Sequence, residues 1–247
     1  MQTLQITPFT LSVASIFFMK LLSSLLPIII IASLIAIAIG FGIYYEKKRR
    51  EALAKVAADL GLEFFPQGIP GLLAAIQGFT LFSSGRGHSV TNTIRGLTDD
   101  VELTIFDLTY TVGSGKNSST HRQTIVRFAS SRLSLPEFVV SPEGFFHRIG
   151  KLFGVKDINF DEDPQFSSSF LLQGPIESAI RQMFGPAVRE WFSHRQGITA
   201  AGRGTQMFFF RASQRMNADK IPGLLEEGFG FFKLVAAPAG DEMPPSS

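Results

Sequence analysis

The sequence predicts an α+β chain: one N-terminal transmembrane helix followed by a mostly antiparallel sheet domain packed with helices. Three observations predict it. Residues 21–45 carry no charge, with Lys20 and Glu46 as their bounds, and only Ser23, Ser24 and Ser33 are clearly polar. That stretch spans about 37 Å as a helix, against a hydrocarbon core of about 30 Å. Further on, runs rich in Val, Ile, Thr and Phe alternate with Gly, Asp and Ser clusters, and the gaps are too short for crossover helices, which implies antiparallel pairing.

Composition excludes several chemistries. The 247 residues include no cysteine, so there is no disulfide framework, thiolate metal site or cysteine nucleophile. A net charge of +2 argues against a nucleic-acid partner bound by broad phosphate neutralisation. With 45% hydrophobic and 12% aromatic residues the chain is not wholly disordered.

In order along the chain, residues 1–20 form a short N-terminal segment and 21–45 the membrane helix. Pro27 sits near its start, where a missing N–H costs least, and Tyr44 and Tyr45 lie at its far end, where amphipathic rings favour the interface. No small-residue cleavage site follows, so the span is read as uncleaved. Lys47, Lys48, Arg49 and Arg50, with Lys55 behind them, are the topology signal. Cations stay on the cytoplasmic side, which puts the N-terminus outside and the large domain inside. The bilayer is thus the one partner the sequence names directly.

Residues 46–77 read as juxtamembrane helices. Leu53, Val56, Ala57 and Leu60 follow helical spacing up to a stop at Gly61, and Pro70 to Gln77 carries Leu72, Leu73 and Ile76. A soluble α+β domain over 78–235 follows. Its expected strands are 79–84, 90–96, 101–112, 120–128, 137–141 and 166–173. In the longest, Phe106, Leu108, Tyr110 and Val112 share one face and Val101, Leu103 and Ile105 the other, so helices should cover at least one side. A short helix is expected over 143–153, and a helix over 176–195 broken near Gly185-Pro186. Residues 198–211 should form a hairpin around Gly202-Arg203-Gly204, and a last helix should start near Asp219. Residues 236–247, proline-bearing and without apolar period, read as a disordered tail.

The candidate chemistry is sparse. Gly113-Ser114-Gly115-Lys116 looks like a phosphate loop, but Tyr110 stands where the first glycine belongs, Asn117 replaces Ser or Thr, and a strand follows in place of a helix. It reads as a hairpin tip, with Lys116, His121 and Arg122 as an exposed anion or partner site. Residues 157–163 resemble the start of a calcium loop but lack glycine at the sixth position (Glu162) and glutamate at the twelfth (Ser168), leaving a solvated acidic loop. His88, His121, His147 and His194 have no metal-ligand spacing. Asp107 is the odd carboxylate in an apolar strand; paired with Arg127 on the next strand it makes a structural ion pair. Phe208-Phe209-Phe210 and Phe231-Phe232 read as core. No nucleophile elbow, dinucleotide fingerprint or kinase signature occurs.

On this layout the chain resembles an uncharacterised family of bacterial single-pass membrane-anchored proteins, a domain of unknown function. The resemblance rests on Gly78-Phe79 to Phe82, Phe106 to Thr111, the Gly-Ser-Gly-Lys tip, Thr120 to Thr124, Asp163 to Phe166 and Phe170 to Leu172. It covers about 46–235 and implies a bacterial inner-membrane location, no known activity and no catalytic residues to transfer. The expected function is a cytoplasmic binding or interaction module without catalysis or cofactor, meeting a protein partner through the soluble domain. The alternative is a membrane-tethered hydrolase or transferase acting on an anionic substrate.

Overall fold

The structure, a computed structural model, describes residues 8–83, 85–98, 100–143 and 157–237. The chain divides into two compact units between Arg49 and Arg50. The first unit is the bulk of helix α1 (Pro8–Asp59), which contains Pro27 within it. Apolar side chains from Ile16 to Tyr45 are exposed along it, and the helix is long and apolar enough to cross a membrane. Pro27 was expected near the helix start. It lies well inside, because apolar residues extend the helix back to Pro8.

The second unit starts with the last turns of α1, where Leu53 and Ala57 are buried. Residues 46–77 are not helical throughout. After Gly61 the chain forms β1 (Glu63–Phe65) and then α2 (Leu72–Gln77) and α3 (Thr80–Ser83). The expected strand at 79–84 is therefore a helix. Phe79 and Phe82, three apart on one helical side, both set their rings edge-on to Phe208, at 4.7 and 4.9 Å.

The remaining strands are β2 (Arg86–Leu97), β3 (Glu102–Val112), β4 (Ser119–Ala129), β5 (Leu135–Pro142), β6 (Phe170–Gln173), β7 (Ile198–Gly204) and β8 (Gln206–Arg211). They build one eight-stranded antiparallel sheet in the order β1-β2-β3-β4-β8-β7-β5-β6. The helices after β5 are α4 (Pro164–Ser169), α5 (Glu177–Met183), α6 (Pro186–Ser193) and α7 (Ile221–Val235). The expected strand 166–173 thus starts as helix. Asp163 caps it, its Oδ1 accepting from the Phe166 N–H at 3.1 Å, and Pro164 opens it. The expected helix over 143–153, apart from Glu143, and most of the tail, 238–247, lie outside the described residues.

Side-chain alternation makes two cores. Leu103, Ile105, Val126, Phe128, Met207 and Phe209 face the end of α1, α4, α5, α6 and α7. Phe106, Leu108, Ile125, Phe208 and Phe210 face α2 and α3. The Phe208-Phe209-Phe210 run is core, divided between the two faces because strand side chains alternate.

The edge strand β6 is capped. The Ile158 N–H donates to the Leu172 carbonyl at 2.8 Å, and the Leu172 N–H donates to Asp157 Oδ1 at 2.8 Å, which blunts the edge against further pairing. Burial raises the Asp157 pKa above the ordinary aspartate value, backbone N–H groups of Leu172 and Ile158 pull it down, and Glu143 adds a small upward push. The folded state therefore holds this proton more tightly than the unfolded chain. Stability contributed here falls as pH rises from about 3.8 through the raised folded value. Asp157→Asn keeps the acceptor and removes the charge. Urea unfolding between pH 3.5 and 7 should show that downward contribution disappearing in the variant, and an unchanged pH profile would refute it.

Candidate functional site

The β3–β4 hairpin carries the residues picked out in the sequence. Its last pair is Val112 opposite Ser119. Gly113 adopts φ +82°, and a Cβ there would lie 2.4 Å from the Asn117 carbonyl oxygen, so the turn requires glycine. The Asn117 N–H donates to the Ser114 carbonyl at 3.1 Å and Ser118 Oγ to the Gly115 carbonyl at 3.0 Å. Arg86 reaches across from β2 and donates to the Gly113 carbonyl. A single 3₁₀ turn, Gly115–Asn117, closes the tip and β4 follows, so no α-helix N-terminus stands here to hold a phosphate.

Lys116, at the tip, is exposed, as is Arg122 on β4. His121 is half-buried and precedes Arg122, so the two leave the sheet on opposite faces. The three residues share one end of the sheet but do not converge on one point. A cavity of about 460 Å³ beside the tip is lined by His121 with Val112, Gly113, Asn117 and Ser119; neither Lys116 nor Arg122 lines it.

His121 is held on two sides. Its ring stacks on Tyr110, its cross-strand partner, at 5.3 Å, and its Nδ1 lies 3.1 Å from Ser213 Oγ. Tyr110 in turn stacks on His88 at 5.9 Å and 9°. Three rings from β2, β3 and β4 thus form a ladder across the sheet. The sequence reading missed Arg86, His88, Tyr110 and Ser213. Alternation offered Tyr110 as inward-facing, but the β2 register, shifted between Arg86 and Ser89, could not be read beforehand. The segments that supply β2, the β3–β4 tip and β4 carry cations only, since no acidic residue occurs from 64 to 98 or from 108 to 136.

No family model matches the chain, and no curated protein matches it. Among solved structures it is similar to the crystal structure of the mycobacterial trehalose monomycolate transport factor A, TtfA. The likeness has a TM-score of 0.52 at 10% identity and covers 79% of this chain and 98% of that one. At that identity it is a likeness of fold.

Asp107 and the 157–163 loop are engaged structurally. Asp107, only 3% exposed, does not meet Arg127. Its Oδ2 accepts from Arg215 Nε and Asn92 Nδ2, each at 3.0 Å, and its Oδ1 from Thr124 Oγ1 at 2.7 Å. The loop after β8 folds back over β4 and brings Arg215 to the carboxylate, while Arg127, three register steps away, pairs with Glu102 at 3.4 Å. The 157–163 loop is less solvated than expected. Asp163 pairs with buried Arg189 at 3.0 Å, and Glu162 adds a contact at 3.3 Å. Among the described residues no His, Asp or Glu group is arranged to hold a metal.

Proposed function

We propose that the protein is a membrane-anchored accessory module whose soluble domain binds an acidic partner surface through the Lys116–Arg122 end of its sheet and performs no catalysis. The single observation that carries this is the sheet end where Arg86 and Lys116 are exposed beside the stacked His88–Tyr110–His121 rings and Arg122 is exposed on the other face, on strand segments 86–97 and 108–129 that carry no acidic residue. Charges of one sign on a preorganised surface steer an oppositely charged partner and lose little entropy on docking. The fold likeness to a protein named as a transport factor supports an accessory role over an enzymatic one. The flanking cations Lys47, Lys48, Arg49 and Arg50 support a bacterial inner-membrane protein with its N-terminus outside and residues 46–235 in the cytoplasm.

The test is chemical crosslinking in native membranes followed by purification of the full chain. The double variant Lys116→Glu/Arg122→Glu should recover its crosslinked partner at least about tenfold less than wild type, and rising salt should mimic the loss. Equal recovery by both proteins at all salt concentrations rejects this surface. An alkaline phosphatase fused to the C-terminus should be inactive; high activity reverses the orientation.

A further inference from the structure

A second site lies away from the hairpin tip, where the loop before α2 overhangs the sheet. Position by position, Arg95 on β2, Thr104 on β3 and Arg127 on β4 stand side by side in register. They face the same side as Phe106 and Leu108, but beyond the apolar patch that α2 and α3 cover. With Glu102 and the backbone around Gly71 they line a cavity of about 210 Å³.

Two features of this cavity are unbalanced. The first is charge. Arg95 Nε and Arg127 Nη1 approach the same oxygen of Glu102, at 3.2 and 3.4 Å, so two guanidinium groups share one carboxylate. Arg127 Nε is taken by Gln206 Oε1 at 2.9 Å, which fixes the plane of the guanidinium and leaves its Nη2 without an acceptor among the described residues. Glu63 stands opposite Arg95 in register, and Arg95 lines the neighbouring cavity as well, together with Glu63, Gly61, Gly96 and Leu97. The second feature is Thr104. It is 1% exposed, yet its hydroxyl has no hydrogen-bond partner. A buried orphan hydroxyl is costly, and valine would fill the same space without that cost.

We propose that this cavity binds a small oxyanion, a phosphate or a carboxylate, with Arg127 and Arg95 supplying charge and Thr104 Oγ1 donating a hydrogen bond. The guanidinium of Arg127 is held by Gln206 and Glu102, and its uncommitted Nη2 can donate a charge-assisted hydrogen bond to an oxygen of such a group. The volume suits an inorganic anion or the head of a larger molecule whose remainder leaves through the open side.

The test is calorimetric titration of the full chain in detergent micelles with inorganic phosphate, acetate and monomeric dihexanoyl phosphatidic acid in separate arms. Saturable binding is expected for phosphate or acetate. Arg127→Gln should weaken it at least about tenfold and Thr104→Val severalfold. Thr104→Val should unfold at the same or a higher temperature than wild type without anion, which shows that its loss of binding is not a loss of fold. Lys116→Ala should bind as wild type does, which separates this site from the hairpin tip. A phosphatidic acid affinity tenfold above that of inorganic phosphate assigns the anion to a lipid headgroup; equal affinities assign it to a free solute. Heats that do not saturate, or equal affinities in wild type, Arg127→Gln and Thr104→Val, overturn the proposal.

Discussion

Phe192→Ala is expected to lower the unfolding free energy of the soluble unit by about 4 kcal/mol. Phe192 on α6 is fully buried, and its ring is the hub of an aromatic cluster. Its centroid lies 5.0 Å from Trp191, 5.1 Å from Phe231, 5.4 Å from Phe170, 5.9 Å from Phe184 and 6.3 Å from Phe166. Phe166 comes from α4, Phe170 from β6, Phe184 from the residue that ends α5, Trp191 from α6 itself and Phe231 from α7, so one ring ties α4 to α7 together. Truncation removes the transfer energy of the ring and leaves a hole that α4, β6, the end of α5 and α7 would have to collapse into together. Edge-on geometry adds a few tenths to about 1 kcal/mol for each pair that is lost. Urea denaturation of the full chain in micelles, followed by tryptophan fluorescence from Trp191, measures the effect directly. Ile176→Ala serves as the control, since Ile176 is 57% exposed and its loss should change stability by less than about 0.5 kcal/mol. Equal midpoints for Phe192→Ala and Ile176→Ala would refute the hub assignment.

Asp107→Ala is expected to cost about 3 kcal/mol, for a different reason. The carboxylate gathers donors from β2, β4 and the loop after β8. Thr124 Oγ1 donates to Asp107 and also accepts from the Met216 N–H at 3.0 Å, so the network extends into the backbone of that loop. Removing the carboxylate leaves the Asn92 amide and the Thr124 hydroxyl with weakened partners in a buried setting. The Arg215 side chain, 23% exposed, recovers part of its solvation, which keeps the cost below that of a wholly buried pair. A double-mutant cycle separates this arrangement from the pairing expected along the strands. The Asp107/Arg215 pair should couple by at least about 1 kcal/mol, and Asp107/Arg127 by less than about 0.3 kcal/mol. The reverse pattern would restore the Arg127 pairing.

Asp107 also shows where reading along the chain stops. That a lone carboxylate in an apolar strand needs a buried partner follows from the cost of burying charge, and it is visible in the sequence. Arg127 was the reasonable choice on strand proximity, but register puts it opposite Thr104, and Thr124 opposite Asp107. The actual cation is 108 residues away on a loop whose path only the packed fold sets. Short apolar runs failed for a related reason. Residues 79–84 and the first half of 166–173 have strand-like composition, and in a few residues period cannot separate helix from strand. The Asp163-Pro164 cap was a local signal for the second helix that composition masked. The candidate site divides likewise. Lys116, His121 and Arg122 were visible as a polar tip, whereas the His88–Tyr110–His121 ladder depends on a shifted register, and the Arg95–Thr104–Arg127 row depends on three strands lining up.

The sequence by itself determined what periodicity and charge can encode. These are an apolar helix long enough to span a bilayer with cations on one side, an antiparallel α+β sheet domain, a central strand apolar on both faces, and a glycine-built hairpin tip. Each follows from interactions within a few residues, or from the solvent a side chain must meet, and so is written in local order. Tertiary structure alone decided the strand order, which helices cover which face, the partner of Asp107, and the bringing together of two arginines and an unpaired threonine hydroxyl under the Gly71 loop. Those depend on contacts between segments far apart in the chain, where register and close packing select one arrangement from many that the same local pattern allows.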